Sequence, residues 1–521
     1  MKIEDLQENW DLIIIGGGVT GAGILREAVR MNLDVLLLEQ KDFAWGTSSR
    51  SSKLVHGGLR YLKQGKFWLT RDAVTERERL LREAPGLVEP LDFLIPIYSD
   101  HGPGKWLVKA GLSLYDIIAM NWRHEFYSAE KFSSLLPNVR KEKLIGGFRF
   151  ADACVDDARL VLRLISEALA AGGYAVNYVT VNEIIRDIRG NVVGLAAEDT
   201  ETGAGRTFST RAVINATGAW AEKLHPSPKP GLHLRPLRGS HLIFPSHIIP
   251  IDQAVSLAHP EDNRPVFAIP WEGAIIFGTT DYDHNEDLSA EPVITEEEIS
   301  YLMEALRVFF PSSDISLEDC ISTIAGVRPV LSKGKSEPSK ESREHVVWTD
   351  KGLVTITGGK LTTFRKLAWD TLKAAESFLP LSKVRDKGEP VFSFPNTDLR
   401  EDNDLSPDQR RYLCGRYGRY ANDIVEKAAP EDLTPVPGTR TIWAELPFAA
   451  RYEQVRHLTD LLLRRVRIGL LTPGGGEKHL GRIRRLCEPV LSWDENQWEE
   501  EIGMYLDHWE KINSKLQYPN I

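Results

Sequence analysis

Four short segments bring basic or imidazole side chains next to glycine: HGGLRY at 56–61, RGSHLIF at 238–244, GVRPVLS at 326–332 and GGKLTTFR at 358–365. Glycine admits close approach to the backbone, and a neighbouring Arg or Lys supplies the positive charge that an anionic ligand needs. Each segment alone is ordinary in a chain with 64 Lys and Arg, most of which must lie on a solvated surface. Their joint presence gains weight from a fifth pattern near the start of the chain.

That pattern is DLIIIGGGVTGAGILREAVRMNLDVLLLE. Leu12 to Ile15 form a mostly β-branched run that ends in glycines, as a buried strand entering a tight turn does. Apolar residues at helical spacing follow through GILREAVRM, and Val35 to Leu38 read as a second apolar strand, giving the order β, α, β. Gly16, Gly18 and Gly21 fill G-x-G-x-x-G. The first permits the turn, the second lets backbone approach a pyrophosphate, and the third packs helix on strand, so the helix N-terminus faces the phosphates. Glu39 ends the second strand at about the ~20-residue spacing expected of an acid that binds a ribose hydroxyl, which argues against a 2′-phosphate there. Strand, motif, helix, strand and acid in register predict dinucleotide binding rather than a purely structural turn. Much later, Tyr174 to Ile185 and Val192 to Ala197 read as strands, and RAVINATGAW at 211–220 returns as a strand ending in Ala-Thr-Gly, with Thr217 and Gly218 at the turn. This second approach resembles flavoproteins with two dinucleotide-binding domains and points to FAD rather than NAD. No second G-x-G-x-x-G is found, so electrons are expected to enter FAD directly from a substrate.

The elements that must position these residues are spread over 521 residues, beyond the ~250–300 at which one core stops growing. The predicted fold class is α/β plus α: a discontinuous FAD-binding Rossmann-like domain, an antiparallel-sheet substrate domain and a C-terminal helical domain. The FAD-binding domain is expected at 1–75, 151–230 and 326–388, where VVWTDKGLVTITGGKLTTFRKLAWDTLKAA reads strand, turn, helix and carries site residues. The intervening 76–150 and 231–325 form the substrate domain; in the latter, HLIFP, PVFAIP and AIIFGTT are separated by Pro, Gly and Asp. KSEPSKESRE at 335–344 and the span from Glu389 to Pro407 read as exposed loops. The helical domain takes 389–521, with Val455, Leu458, Leu462 and Val466 at helical spacing. The hydrophobic fraction of 42% and charged fraction of 26% exclude global disorder. A net charge of -10 argues against nucleic acid as a partner. The scattered Cys154, Cys320, Cys414 and Cys487 form no C-x-x-C pair and fit a reducing cytosol, and neither an export signal nor a membrane span is expected.

SSRSSKLVHGGLRYLKQGKF, RGSHLIFP, AGVRPVLS and TGGKLTTFR, together with the dinucleotide motifs, resemble the FAD-dependent, NAD-independent, aerobic glycerol-3-phosphate dehydrogenase family, from about Asp11 to Leu471. The resemblance implies oxidation of sn-glycerol 3-phosphate to dihydroxyacetone phosphate by hydride transfer to FAD, with electrons passed to a membrane quinone. It implies substrate contacts at Arg60, Tyr61, His241, Arg328 and Lys360, and at Arg343 in the charged loop. Ser48, Ser49, Ser51, Ser52 and Lys53 match the stretch along the FAD pyrophosphate and isoalloxazine, and Gly359, Leu361 and Thr362 are assigned to the cofactor as well. His241 is the leading base, because imidazole titrates near neutral pH; Arg328 or Lys360 is the alternative, as an alkoxide-stabilising cation, and Arg60 and Arg343 would hold phosphate. Which cation meets which substrate oxygen is left open. No metal is expected: DYDHNEDLSAE carries Glu286 where a calcium loop requires Gly.

Two stretches are candidates for a peripheral contact with the inner face of the cell membrane. One is GPGKWLVKAGLSLYDIIAMNW at 102–122, too interrupted to span, with Trp106, Leu107, Leu112, Leu114, Ile117, Ile118 and Trp122 beside Lys105 and Lys109; the other is the helix near Arg464, Arg465 and Arg467. A homodimer is left open. The rival readings are a glycerol-3-phosphate oxidase that gives hydrogen peroxide and a non-catalytic FAD-fold binding protein.

Overall fold

The computed structural model describes residues 2–63, 65–120, 122–226, 233–332, 344–380, 388–393, 399 and 405–516, with Arg60 and Lys63 described in backbone only. Its first sheet grows outward from Asn9–Ile15, which pairs in parallel with Val35–Leu38 on one side and Gly205–Asn215 on the other. Tyr174–Val176 and Leu353–Gly358 extend the parallel region, His345–Asp350 adds an antiparallel edge, and the meander Val179–Arg186 and Val192–Asp199 leans on Gly205–Asn215. Pleating explains the continuous apolar run in the sequence. Leu12, Ile14, Val35 and Leu37 pack under the helices Val19–Arg30, Asp157–Ala170 and Phe364–Ala375, while Ile13, Ile15, Leu36 and Leu38 face the meander through Val179, Leu195 and Phe208. Both faces are covered, so neither needs polar residues.

The second sheet centres on His233–Pro245, flanked antiparallel by Ser322–Ser332 and Ala274–Gly278. Pro265–Trp271 and Ala254–Ala258 continue the sheet to Val88–Tyr98 and Leu144–Val155. It is antiparallel except where Ala254–Ala258 runs parallel to Val88–Tyr98. The expected division of the chain shifts at two points. Leu144–Val155 and Ser322–Ser332 are long strands that each cross an expected boundary and stay in this sheet, and among the described residues the return to the first sheet begins at His345. Helix Glu296–Phe309, opened by a Thr295 and Glu298 capping box, covers one face.

The other face is covered by the C-terminal helices Glu445–Tyr452, Leu480–Cys487 and Glu495–Ile512, whose Leu446, Ile483 and Trp498 share a core with Ile243, Trp271 and Ile276 of the sheet. Val455, Leu458, Leu462 and Val466 are all buried, but not on one regular helix. A short turn at Leu458–Asp460 widens into a π-helical turn at Leu461–Arg465 and stops at Arg467, whose φ is 58°. The same segment overturns one membrane candidate. Arg464, Arg465 and Arg467 are buried in ion pairs: the first two hold Asp42 and the third holds Asp156 and Asp157, all from the FAD-binding half. Three adjacent cations look like a surface patch until the chain places carboxylates opposite them.

Candidate active site

A single cleft of about 1890 Å³ runs between the two sheets, and both the glycine motif and the substrate segments open into it. At one end lies the N-terminus of helix Val19–Arg30, with Gly18 as its extended cap. Gly16 has φ 110° and rests against Ala216, so a side chain there is excluded by conformation and by space. The Glu39 carboxylate accepts hydrogen bonds from Gly17 N at 2.6 Å and Lys41 N at 2.9 Å; burial raises its pKa and these two bonds oppose the rise. Ser48 Oγ accepts from Val19 N at 2.9 Å. Thr217 and Gly218 close the opposite wall, with Gly218 O bound to Thr357 Oγ1 at 2.8 Å. Gly359, Leu361 and Thr362 line the same wall. A glycine-lined turn, an open helix N-terminus and an acid at the strand end form a cradle that fits the diphosphate and ribose of FAD.

Beyond this cradle, His241, Arg328, Lys360 and Tyr61 converge on the cleft. Strand register fixes His241 between Gly278 and Ile324, and its Nε2 lies 2.9 Å from Ser52 Oγ. The expectation of a near-neutral titration is corrected: burial, with the Lys53 and Arg328 charges nearby, brings the imidazole down to about 3. His241 is therefore neutral under physiological conditions and a weak base, already in hydrogen-bond contact with a hydroxyl. Arg328 Nη2 donates to Asp281 Oδ1 at 3.1 Å and Thr280 O at 3.3 Å. Lys360 Nζ lies 3.4 Å from the Tyr61 ring centroid, and Tyr61 stacks against His56. Arg60 sits in the short helix Leu59–Lys63, whose Leu59, Tyr61 and Leu62 line the cleft; Arg343 lies outside the described residues.

The serine-rich stretch divides. Ser48, Ser51 and Ser52 face the cleft, whereas the side chains of Ser49 and Lys53 do not. Lys53 is fully buried, donating to Ser49 O at 2.6 Å and to both Asp157 oxygens at 2.8 Å, and burial lowers its pKa to about 8. It holds the loop from behind. Asp157 also accepts from Ser51 N at 2.9 Å and Ser51 Oγ at 2.7 Å. HGGLRY is anchored in the same manner, Gly57 N donating to Asp152 Oδ1 at 3.1 Å while Arg77 and Tyr115 complete the carboxylate's shell. Asp152, Asp157, Asp281 and Thr280 were invisible to motif reasoning because none stands beside a glycine-basic pair except through folding. Thr280 closes AIIFGTT, read only as a substrate-domain strand, and Asp281 opens DYDHNEDLSAE, read only as a failed calcium loop.

Residues 11–365 match the family of FAD dependent oxidoreductases, and residues 383–498 match the C-terminal domain of alpha-glycerophosphate oxidase. The chain is 39% identical to the aerobic glycerol-3-phosphate dehydrogenase of Bacillus subtilis, over 99% of this chain and 96% of that protein. It is 34% identical to glycerol-3-phosphate dehydrogenase 2 of Mycobacterium tuberculosis, over 96% and 88% respectively. The likeness thus runs past Leu471 into the last helices. Among solved structures, the glycerol-3-phosphate dehydrogenase of Bacillus halodurans complexed with FAD superposes with a TM-score of 0.79 at 28% identity, covering 99% of this chain and 98% of that one. The L-alpha-glycerophosphate oxidase of Mycoplasma pneumoniae shares the fold, with a TM-score of 0.59 at 18% identity over 74% of this chain and 98% of that one.

Proposed function

Because the chain belongs to the family of FAD-dependent glycerol-3-phosphate dehydrogenases, we propose that it oxidises sn-glycerol 3-phosphate to dihydroxyacetone phosphate and delivers the electrons to a quinone at the inner face of the cell membrane. The observation that carries this reading is the convergence of His241, Arg328, Lys360 and Tyr61 at the far end of the FAD cradle, inside one cleft. Bound FAD supplies the acceptor for the hydride that leaves the substrate's secondary carbon. The hydroxyl proton must leave as well, and His241, in hydrogen-bond contact with Ser52, is the group assigned to it; held at about 3 by burial, its imidazole meets the hydroxyl as a neutral hydrogen-bonding partner. Arg328 and Lys360 bring positive charge to the oxygen that becomes negative as that proton departs. Arg60 and Arg343 are assigned to the phosphate.

The cleft also supports the membrane part of the reading. Helix Lys105–Ala119 contributes Leu107, Val108, Gly111 and Leu114 to its wall, while on the outside Trp106 is 75% and Met120 93% exposed. Phe67 and Trp68, on the adjoining helix Phe67–Glu83, are exposed too, and Lys66, Lys105 and Lys109 accompany them. An apolar acceptor entering from lipid would meet Trp106 and Leu107 at the surface and Val108 and Leu114 of the same helix at the cleft wall. No helix among the described residues is long and apolar enough to cross a membrane, so the contact in this reading is peripheral.

Anaerobic addition of sn-glycerol 3-phosphate is expected to bleach the flavin; an unchanged spectrum refutes the substrate assignment. A second reading, an oxidase, draws on the match of residues 383–498 to the oxidase C-terminal domain. Stopped-flow reoxidation separates the two, with a quinone analogue expected to outpace oxygen. Co-sedimentation with anionic liposomes is expected to weaken with salt and to fall further in a Trp106→Ser, Leu107→Ser variant. Absence of sedimentation at low salt in an active preparation would remove the membrane claim alone.

A further inference from the structure

We propose that Arg467 is a positioning residue for His241, acting from the C-terminal helical domain through Asp157 and the Ser51–Ser52 backbone. The contacts form an unbroken series. Arg467 Nη2 donates to Asp157 Oδ1, and Nη1 lies 3.4 Å from Ser49 O. The other Asp157 oxygen accepts from both the backbone N and the hydroxyl of Ser51. The next residue, Ser52, places its Oγ 2.9 Å from His241 Nε2. Arg467 and Asp157 are both buried, so no solvent competes for these groups.

The backbone shows how tightly this junction is specified. Lys53 and Arg467 are non-glycine residues with left-handed φ of 57° and 58°, and their side chains meet on the same carboxylate. Such conformations are held only where the surroundings over-determine them. The guanidinium fork also takes Asp156 Oδ1, through Nε at 3.1 Å and Nη2 at 3.0 Å, which fixes its plane. A lysine keeps the charge but cannot bridge two carboxylates and a carbonyl with one ammonium group. Losing the fork leaves Asp157 Oδ1 to Lys53 Nζ and the Ala158 amide; the carboxylate shifts toward them, the Ser51 backbone follows it through its two bonds to Oδ2, and the Ser52 hydroxyl leaves its place on the imidazole. This assignment rests on His241 being the group that meets the substrate hydroxyl.

The test uses the FAD-loaded enzyme with the variant Arg467→Lys, and Arg159→Lys as a control. Arg159 is equally buried and joins the same two domains through Glu453, without contact to Ser51 or Ser52. In Arg467→Lys, kcat is expected to fall on the order of 10- to 100-fold, the penalty of a reacting group displaced by about an ångström, with KM and FAD content unchanged. Arg159→Lys is expected to lower the melting temperature while keeping kcat. Ser52→Ala tests the last link without touching the domain junction; the double variant Arg467→Lys, Ser52→Ala is expected to be no slower than Ser52→Ala alone. The 15N signals of the His241 imidazole supply a readout independent of turnover, and they are expected to shift in Arg467→Lys and not in Arg159→Lys. Wild-type kcat in Arg467→Lys, an equal loss in Arg159→Lys, additive losses in the double variant, or unmoved imidazole signals would each overturn the proposal. A wild-type enzyme that fails to bleach with glycerol 3-phosphate strikes instead at the substrate, and the imidazole signals still decide the positioning role.

Discussion

Gly18 and Gly21 belong to one motif, yet the structure assigns them different duties, and alanine at each should separate cofactor binding from folding. A Cβ at Gly21 would lie 1.9 Å from Gly16 O, about 1.5 Å short of the 3.4 Å at which ordinary contact begins. Backbone cannot rotate away, so the helix Val19–Arg30 must back off the strand Asn9–Ile15. Overpacking of this kind costs ~1–3 kcal/mol, a loss of several degrees in melting temperature. A Cβ at Gly18 meets only Ser48, whose hydroxyl at 3.1 Å need give by only a few tenths of an ångström while keeping its bond from Val19 N, and otherwise points into the cleft. The apoprotein should therefore keep its stability to within ~0.5 kcal/mol. The same methyl stands where the pyrophosphate must approach the helix N-terminus, and a clash of ~1–3 kcal/mol there weakens FAD binding roughly 5- to 150-fold. Differential scanning fluorimetry on the apoproteins and titration by quenching of flavin fluorescence read the two effects separately. Gly18→Ala that binds FAD like the wild type, or whose apoprotein melts as low as that of Gly21→Ala, refutes the division.

Arg328→Ala removes the cation beside Asp281 and is expected to lower kcat/KM on glycerol 3-phosphate by ~10- to 150-fold, from the ~1.5–3 kcal/mol of a charge-assisted contact; unchanged kinetics would take Arg328 out of the site. His241→Ala should lower kcat with FAD retained. Since burial holds the wild-type imidazole at about 3, no acidic limb assignable to it should appear near pH 6.5, and one that does, and vanishes in the variant, contradicts the buried environment. His457 is raised to about 10 by its bonds to Glu201 and Glu501, which it links across the domain junction. Its folded pKa exceeds the unfolded one, so its stabilisation is complete below pH 6.5, declines between 6.5 and about 10, and is gone above. Screening of a ring one-third exposed leaves about 1–2 kcal/mol of this. His457→Gln should therefore melt lower than wild type at pH 6 and equally at pH 10.5; parallel pH curves would show that the bridge contributes nothing.

Legibility in the sequence followed range. The βαβ unit could be read because its strand, turn, helix and acid lie within one short window, and the pleat then assigned its alternate residues to two covered faces. His241 and Arg328 were found through their glycine neighbours, which folding does bring to one cleft. The long strands Leu144–Val155 and Ser322–Ser332 blurred the expected divisions because apolar alternation says a strand exists, not which sheet it joins. Arg464, Arg465 and Arg467 were misread for the same reason: local composition carries no record of Asp42 or Asp156. The imidazole of His241 was given its free-solution titration because burial is a property of the assembled sheet.

The ion pairs that seat the C-terminal helices have a bearing on the order of assembly. Arg465 reaches Asp42 across 423 positions and Arg467 reaches Asp157 across 310, so these contacts join segments far apart along the chain. Closing such loops is entropically slow, and until they close the carboxylates at Asp42, Asp156 and Asp157 stay hydrated behind an unfinished cleft. A chain still emerging from the ribosome can form the glycine turn but not the backing that holds Ser51 and Lys53. The backing of the cofactor cleft is thus completed only by the C-terminal helical domain, and without the segment through Arg467 the carboxylates of Asp42, Asp156 and Asp157 lack the guanidinium groups that neutralise them.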